Sequence, residues 1–349
     1  MIITFIGLTI TSSWGNGHAT TFRGLLCELA SLGLEVHFLE HNMPYYEKER
    51  DLPPEQPYKV HLYNSLEDLT IDYQNLVGAS DFVIVGSYVQ HGPAVIDWVM
   101  VTAPNVTAFY DIDTPVTLDK LRNGDDTYIR PDQVSKFDMY LSFSGGKALD
   151  ILMEEYNAQK ALPLYCSANP ETYCPLEEEK QWLAGYLGTY SEDRQTNLNN
   201  LLLAPAELMP ASEFVIAGPG FPEMDSWPKN VEWIPHLAPD QHAKFYNRQV
   251  VTINVTRKAM RDLGYSPSVR LFEAAACGIP IISDEWEGLS SFFEIDKEIF
   301  ICNTTLEVMH LLENITPDEL VKVGTAARQR VLREHTAAHR AKQLIAYYK

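Results

Sequence analysis

The first half of the chain alternates two hydrophobic patterns. Short continuous apolar runs read as buried strands: "IITFIGL" (2–8), "EVHFLE" (35–40), "YKVHLY" (58–63), "DFVIVGS" (81–87), "NVTAFYD" (105–111), "FDMYLSF" (137–143) and "ALPLYC" (161–166). Between several of them the apolar spacing becomes helical. Phe22, Leu25, Leu26 and Leu29 follow i, i+3, i+4, i+7, and Gly33 supplies the stop. The second half repeats the alternation with strand-like runs at 183–188, 213–218, 231–236, 250–256, 279–283 and 298–302, and the stretch from Pro317 to Tyr348 is helical. Continuous apolar strands separated by helices predict parallel, doubly wound sheets, here one in each half. The proline-punctuated "SANPETYCP" (167–175) reads as the linker. The expected units are therefore residues 1–175 and 176–325, followed by a terminal helix, 326–349, that returns to the first unit. Two such units side by side would frame a crevice at the carboxyl ends of their strands.

Composition narrows the partners. A net charge of −20 over 349 residues argues against nucleic acid and anionic membranes, both of which reward a basic surface. No segment has the roughly 20 apolar residues that a membrane span needs. "MIITFIGLTI" lacks a basic leader region and runs into a glycine loop, so it reads as a first strand. Five cysteines, an odd number with no C-x-x-C, favour a reducing cytoplasm and supply no metal cluster. An anionic small ligand stays compatible with this charge where a few arginines converge.

The densest chemistry lies from Gly264 to Leu289, "GYSPSVRLFEAAACGIPIISDEWEGL". Ser266 suits an N-cap and Pro267 a first helical position, so the expected helix runs from Ser268 to Cys277 and ends at Gly278. Its first amides, at Ser268, Val269 and Arg270, would form an anion site reinforced by the helix dipole. Arg270 adds a fork of donors suited to phosphate oxygens. Glu273, one turn on, can accept from the vicinal hydroxyls of a ribose; its bland alternative is an exposed pair with Arg270.

The stretch "SVRLFEAAACGIPIISD" resembles the donor-binding core of GT-B glycosyltransferases, and the wider pattern looks like their CgeB-like (spore-maturation) group. "GYLGTYSEDR" (185–194), "FVIAGPGFP" (214–222), "NVEWIPHL" (230–237), "INVTRKAMRDLGYSPSVRLFEAAACG" (253–278) and "REHTAAHRAKQL" (333–344) match it in order. The likeness continues more thinly through "SSWGNGH", "FYDIDTPVTL" and "PLYCSANPETYCP" in the first half. The resemblance implies two Rossmann-like α/β domains facing across a cleft, and transfer of a sugar from a nucleoside diphosphate to an acceptor of unidentified class. It implies a diphosphate neutralised by protein cations and amides, with no obligatory metal or cofactor. The matching donor contacts are Thr189, Tyr190 and Arg194 in the "GTYSEDR" loop, Arg257 in "NVTRKAM", and Ser268, Val269, Arg270 and Glu273. The base is expected beside His236 and Leu237. Arg194 has a bland reading as an ion-pair partner of Glu192 or Asp193, as do Lys258 and Arg261 on the surface. His236 has one as a simple strand-end histidine.

In the first half, "SSWGNGHATTFRGLL" joins the first strand to the first helix. Gly15 and Gly17 permit a tight loop, but the third glycine of a dinucleotide fingerprint is missing. No acid stands convincingly at the end of the second strand apart from Glu40. In the GT-B arrangement this loop, with Asn16, faces the donor, and His18 is placed to act as a general base, to cap a helix or to bond a phosphate. Asp111 and Asp113 form a D-x-D, a pattern that can hold a divalent cation. Asp113 or Thr114 can instead cap the helix opened by Pro115. Metal-holding D-x-D pairs belong to the single-domain GT-A fold, so no metal is expected here. Asp113, and after it Asp111, is the candidate base or acceptor ligand. Two other functions fit the same donor residues: a sugar-nucleotide epimerase, and a catalytically silent sugar-nucleotide-binding partner.

Overall fold

A computed structural model describes residues 1–14, 16–222 and 227–349. The chain folds as two compact units: Met1–Cys166 with Ala337–Lys349, and Ser167–Thr336.

The first unit holds seven strands, β1 (Ile2–Gly7), β2 (Glu35–His41), β3 (Lys59–Tyr63), β4 (Phe82–Gly86), β5 (Val106–Asp111), β6 (Met139–Ser142) and β7 (Ala161–Pro163). The second holds six: β8 (Trp182–Leu187), β9 (Phe214–Ala217), β10 (Val231–Ile234), β11 (Gln249–Asn254), β12 (Ile281–Ser283) and β13 (Phe300–Ile301). Every predicted strand is present. All pairings are parallel, with order β3-β2-β1-β4-β5-β6-β7 in one sheet and β10-β9-β8-β11-β12-β13 in the other. Strands flanked on both faces by helices bury both sides, which is why they read as continuous apolar runs. In each sheet the order reverses beside the first strand, between β1 and β4 and between β8 and β11. Loops leaving the carboxyl ends there diverge and leave room for a ligand.

The predicted first helix runs Ala19–Ser31 and buries Phe22, Leu25, Leu26 and Leu29 against the sheet. The terminal helical stretch is broken in two, Pro317–Glu334 and Ala337–Tyr348. The break has no glycine or proline. His335 turns out of the helix (φ −129°), and its ring stacks on Phe272 at 4.7 Å, while Thr336 bridges to Ala168. The last helix belongs to the first unit, where the Arg340 guanidinium donates to the carbonyl of Tyr165 at 2.9 Å and Gln343 to that of Pro163 at 3.1 Å.

The helix at the heart of the sequence motif is Val269–Ala276, with Ser268 as its N-cap, so it starts two residues later than Ser266 and Pro267 imply. The Ser268 carbonyl accepts the first intrahelical bond from Leu271, but its hydroxyl donates to Asn254 Oδ1 at 2.8 Å instead of capping. Gly278 (φ +74°) ends the helix, as expected. Behind it passes Pro317–Glu334, where a Cβ on Gly324 would lie 2.1 Å from the Gly278 carbonyl oxygen. Backbone cannot yield as a side-chain tip can. Gly324→Ala should therefore destabilise the second unit by about 1–3 kcal/mol, the usual cost of overpacking. Its unfolding midpoint in urea should fall accordingly, whereas an unchanged midpoint would show that this helix crossing is loose.

Candidate active site

In the second unit the site is built at the reversal point. Leu187 ends β8 and Asn254 ends β11, and both strand ends meet the first turn of the helix Val269–Ala276, while Ser283 at the end of β12 bonds Asn254. Arg270 fills the space between them. Its Nε donates to the Leu187 carbonyl at 2.5 Å, its Nη1 to Asn254 Oδ1 at 2.8 Å, and its guanidinium lies 4.4 Å from the Tyr186 ring centroid. The residue is 6% exposed. Among the described residues no carboxylate forms an ion pair with it, so its buried charge meets only neutral oxygens and an aromatic face. The backbone is shaped around that head group. A Cβ on Gly188 would meet Arg270 Nη2 at 2.6 Å, and one on Gly218 (φ +137°) would meet the Gly188 carbonyl oxygen at 2.1 Å.

Two more arginines stand near. Arg194 donates from Nη1 to the Thr189 carbonyl at 3.3 Å and reaches the Tyr186 hydroxyl at 3.5 Å. Among the described residues it makes no ion pair within 4.0 Å, and it acts on Asp193 only through its charge. Arg257 ends the β11 loop with its Nε 3.8 Å from Asp193. Burial pushes the Asp193 carboxyl up, but the Ser191 hydroxyl, the Lys258 amide and the charges of Arg257 and Arg194 outweigh it and hold it below the ordinary value. Lys258 and Arg261 are paired as the bland reading expects, with Asp262 at 2.6 Å and with Asp284 at 3.8 Å. Asp284, missed by the sequence reading, is a buried post. It accepts from the Thr256 amide and hydroxyl and from Asn197, and so fixes the loop that carries Arg257.

Glu273 is not on an exposed face and does not pair with Arg270. It is 2% exposed, accepts from the Tyr246 hydroxyl at 3.1 Å, and also binds the Tyr173 hydroxyl. Burial, then the Glu273 charge, pushes both phenols well above their ordinary values, so they remain donors. These tyrosines set the rotation of the carboxylate. Of the other expected donor residues, Thr189 is exposed and Val269 half-buried; Tyr190 packs edge-on to Phe221 at 5.6 Å. His236 is exposed just past β10, and the Leu237 carbonyl lies 3.1 Å from His242 Nε2.

In the first unit the loop after β1 is pinned from behind. Glu40, at the end of β2, takes bonds from the Thr9 hydroxyl (2.7 Å), the Ile10 amide (2.7 Å), the Thr11 amide (3.0 Å) and the Thr11 hydroxyl (2.5 Å). Four internal donors leave it no ribose to bind; it is a brace. Asn16 is likewise structural, 5% exposed, donating to the Thr9 carbonyl and accepting from the His18 amide. Gly15 lies outside the described residues. Gly17 is exposed, and a Cβ there would meet open space, so neither crowding nor a left-handed φ demands glycine at that position. His18 is half-buried at the head of the first helix, with its ring edge-on to Phe143 at 5.3 Å.

The two aspartates play different parts. Asp111 is fully buried and accepts from the Tyr140 hydroxyl (2.6 Å), the Thr117 hydroxyl (3.0 Å) and the Asp113 amide (3.2 Å). Burial pushes its carboxyl up; these three donors oppose that shift. Such an acid organises the strand end and offers nothing to a substrate. Asp113 is the N-cap residue of Thr114–Arg122 by position, makes no capping bond, and is half-buried with Oδ2 accepting from the Tyr88 hydroxyl at 3.0 Å. Among the described residues, no group of three or more His, Cys, Asp and Glu is placed to hold a metal, and no helix is long and apolar enough to cross a membrane.

Comparison with known proteins bears on this geometry. Residues 194–346, which carry Arg194, Arg257, Arg270 and Glu273, match the family described as glycosyl transferase-like. No curated protein matches the sequence. Among solved structures, sucrose-phosphate synthase from Thermosynechococcus elongatus superposes with a TM-score of 0.72 at 14% identity, covering 100% of this chain and 98% of that one. The Anabaena protein HepE, solved with UDP and glucose, gives 0.68 at 11% identity and 98% of each chain. AviGT4, a glycosyltransferase of avilamycin A biosynthesis, gives 0.66 at 14% identity, covering 100% of this chain and 97% of that one. The fold expected from the sequence, GT-B with two Rossmann-like parallel α/β units, is the one these structures share with this chain.

Proposed function

We infer that the protein is a glycosyltransferase that moves a sugar from a nucleoside diphosphate sugar to an acceptor hydroxyl. The observation that carries this is Arg270. A buried guanidinium without a carboxylate partner is costly unless an anion completes it, and here it sits at the strand-order reversal where α/β folds bind ligands. The match of residues 194–346 to a glycosyl transferase-like family and the UDP and glucose bound by the HepE fold neighbour support the same donor class. The second unit binds the donor. Arg270, Arg194, Arg257 and the amides of Ser268 and Val269 take the diphosphate, Glu273 the ribose, and Thr189, Tyr190, His236 and Leu237 frame the rest. The first unit binds the acceptor.

In the reaction the acceptor oxygen bonds to the anomeric carbon as its proton passes to Asp113 or His18. The bond from that carbon to the diphosphate breaks with its electron pair going to phosphate oxygen, where the arginines stabilise it. The ordered motifs support membership of the CgeB-like group, and the five free cysteines support a reducing cytoplasm.

Metal is not required in this scheme, because protein cations take the diphosphate charge and three donors already occupy Asp111. The test is a thermal-shift panel of UDP-, GDP-, TDP- and ADP-glucose, since a ligand bound only by the folded state stabilises it by mass action. One member should raise the melting temperature, with or without EDTA, and nucleotide release from it should survive EDTA. No shift with any of the four would overturn the donor assignment. Strict dependence on Mg²⁺ or Mn²⁺ would return the D-x-D to a metal role.

A further inference from the structure

The chain leaves β4 through "SYVQHG" (87–92), and this turn is strained. Tyr88 has φ +66° and His91 φ +57°, left-handed conformations that a bulky side chain adopts only when its surroundings impose them. What the strain achieves is visible at the ring. Tyr88 is carried onto Asp113, its hydroxyl donating to Oδ2 at 3.0 Å, and onto Tyr128 with ring centroids 4.4 Å apart. Tyr128 is itself held from behind. The backbone of its loop lies so close to Gly92 that a Cβ there would meet the Tyr128 carbonyl oxygen at 2.5 Å. Arg130, two residues on, clamps both oxygens of Asp97 at 3.1 and 2.9 Å, and Gln133 braces the same carboxylate at 2.8 Å. Lys120 lies 5.1 Å from the Tyr128 ring centroid and pairs with Asp125. Among the described groups, Tyr128, with Lys120 and Asp125 behind it, and the buried Asp111 face the Tyr88–Asp113 pair.

We propose that Tyr88 is a positioning residue that fixes the rotation of the Asp113 carboxylate for proton transfer from the acceptor, a role that rests on the glycosyl-transfer reading above. A carboxylate at a helix cap can rotate about its χ angles, and a base that rotates spends little time aimed at its proton. The hydrogen bond to Oδ2 from a strained tyrosine opposes that rotation. Burial, reinforced by the Asp113 charge, pushes the Tyr88 phenol far above its ordinary value. It therefore stays protonated at any working pH and acts on Asp113 as a donor. Strain held at a turn that touches one functional acid is better explained by such alignment than by folding, because asparagine or glycine would make the turn at lower cost.

The test uses Tyr88→Phe, which keeps the ring and removes the hydroxyl, with Asp113→Asn and the double variant. The probe is release of nucleotide from UDP-, GDP-, TDP- or ADP-glucose with water as acceptor, beside the affinity for the same nucleotide sugar by calorimetry. Tyr88→Phe should lower kcat about tenfold, in the range for one hydrogen bond to a charged group, leave the donor Kd within twofold, and add nothing in the Asp113→Asn background. A merely structural tyrosine would give additive losses, or would move donor Kd and melting temperature together with rate; either result overturns the proposal. So does native kcat in Tyr88→Phe beside a damaged Asp113→Asn. Native kcat in Asp113→Asn overturns the base role itself, and an absence of nucleotide release by the native protein from all four donors overturns the glycosyl-transfer reading.

Discussion

Arg270→Ala should weaken nucleoside diphosphate binding by about 1.5–3 kcal/mol, the range for hydrogen bonds to charged groups, which is roughly 10- to 150-fold in Kd. Among the described residues the guanidinium is held by neutral oxygens of Leu187, Asn254 and Ser268, and by the face of Tyr186. Its charge is therefore uncompensated until an anion arrives. Removing the side chain also strips donors from the buried Asn254 oxygen and the half-buried Leu187 carbonyl, so Arg270→Ala should lose some stability. Arg270→Lys separates the two effects. It keeps the charge but loses the fork, so its affinity should fall between the native protein and Arg270→Ala while its melting temperature stays near native. Calorimetry with UDP and with pyrophosphate gives the result. Glu273→Ala provides the internal contrast, because pyrophosphate has no ribose: UDP should weaken and pyrophosphate should not. Equal losses for both ligands would remove Glu273 from the ribose and leave it as a purely structural acid bound to Tyr246 and Tyr173. Native UDP affinity in Arg270→Ala would show that the diphosphate binds elsewhere.

The fold was legible because its strands are buried on both faces. A run such as "DFVIVGS" has to be apolar throughout to lie inside a parallel sheet, so burial writes itself into consecutive residues. The position of Arg270 was legible for a related reason, since a helix start followed by small residues, glycine and a strand is a local pattern. What supports these residues was not. Tyr173 and Tyr246 meet Glu273 across 100 and 27 positions of chain, and nothing in their own neighbourhoods points to a carboxylate. Ser266 suits an N-cap in sequence, yet Ser268 holds that position without a capping bond, because Asn254, at the end of β11, takes its hydroxyl. Asp111 shows the limit from the other side. A strand-end aspartate looks the same in sequence whether water or three internal donors surround it, and only Tyr140 and Thr117 in place reveal the second case. The left-handed turn at Tyr88 left no trace, because its two left-handed positions, Tyr88 and His91, carry neither glycine nor asparagine.

Asp113→Asn should reduce turnover by about 10²–10⁴, the contribution of a positioned general base, while leaving donor affinity nearly unchanged. The separation follows from which unit holds each group. Asp113 and His18 belong to the first unit, and Arg270, Arg194, Arg257 and Glu273 to the second. A residue outside the donor-binding unit that acts on the acceptor proton contributes to the transition state and not to the donor complex. Between the two candidates the structure favours Asp113. Both are half-buried, but the Asp113 carboxylate accepts from Tyr88, whereas the His18 ring lies edge-on to Phe143. His18→Ala is therefore expected to cost less than Asp113→Asn, and Asp111→Asn should act through stability, since it replaces an acceptor of three donors with a group that is half donor. The measurements are kcat for nucleotide release, donor Kd by calorimetry and the melting temperature, for each variant. Loss of Kd in proportion to rate would make Asp113 a donor ligand. Native kcat in both Asp113→Asn and His18→Ala would mean that the departing phosphate takes the proton and that the protein supplies no base.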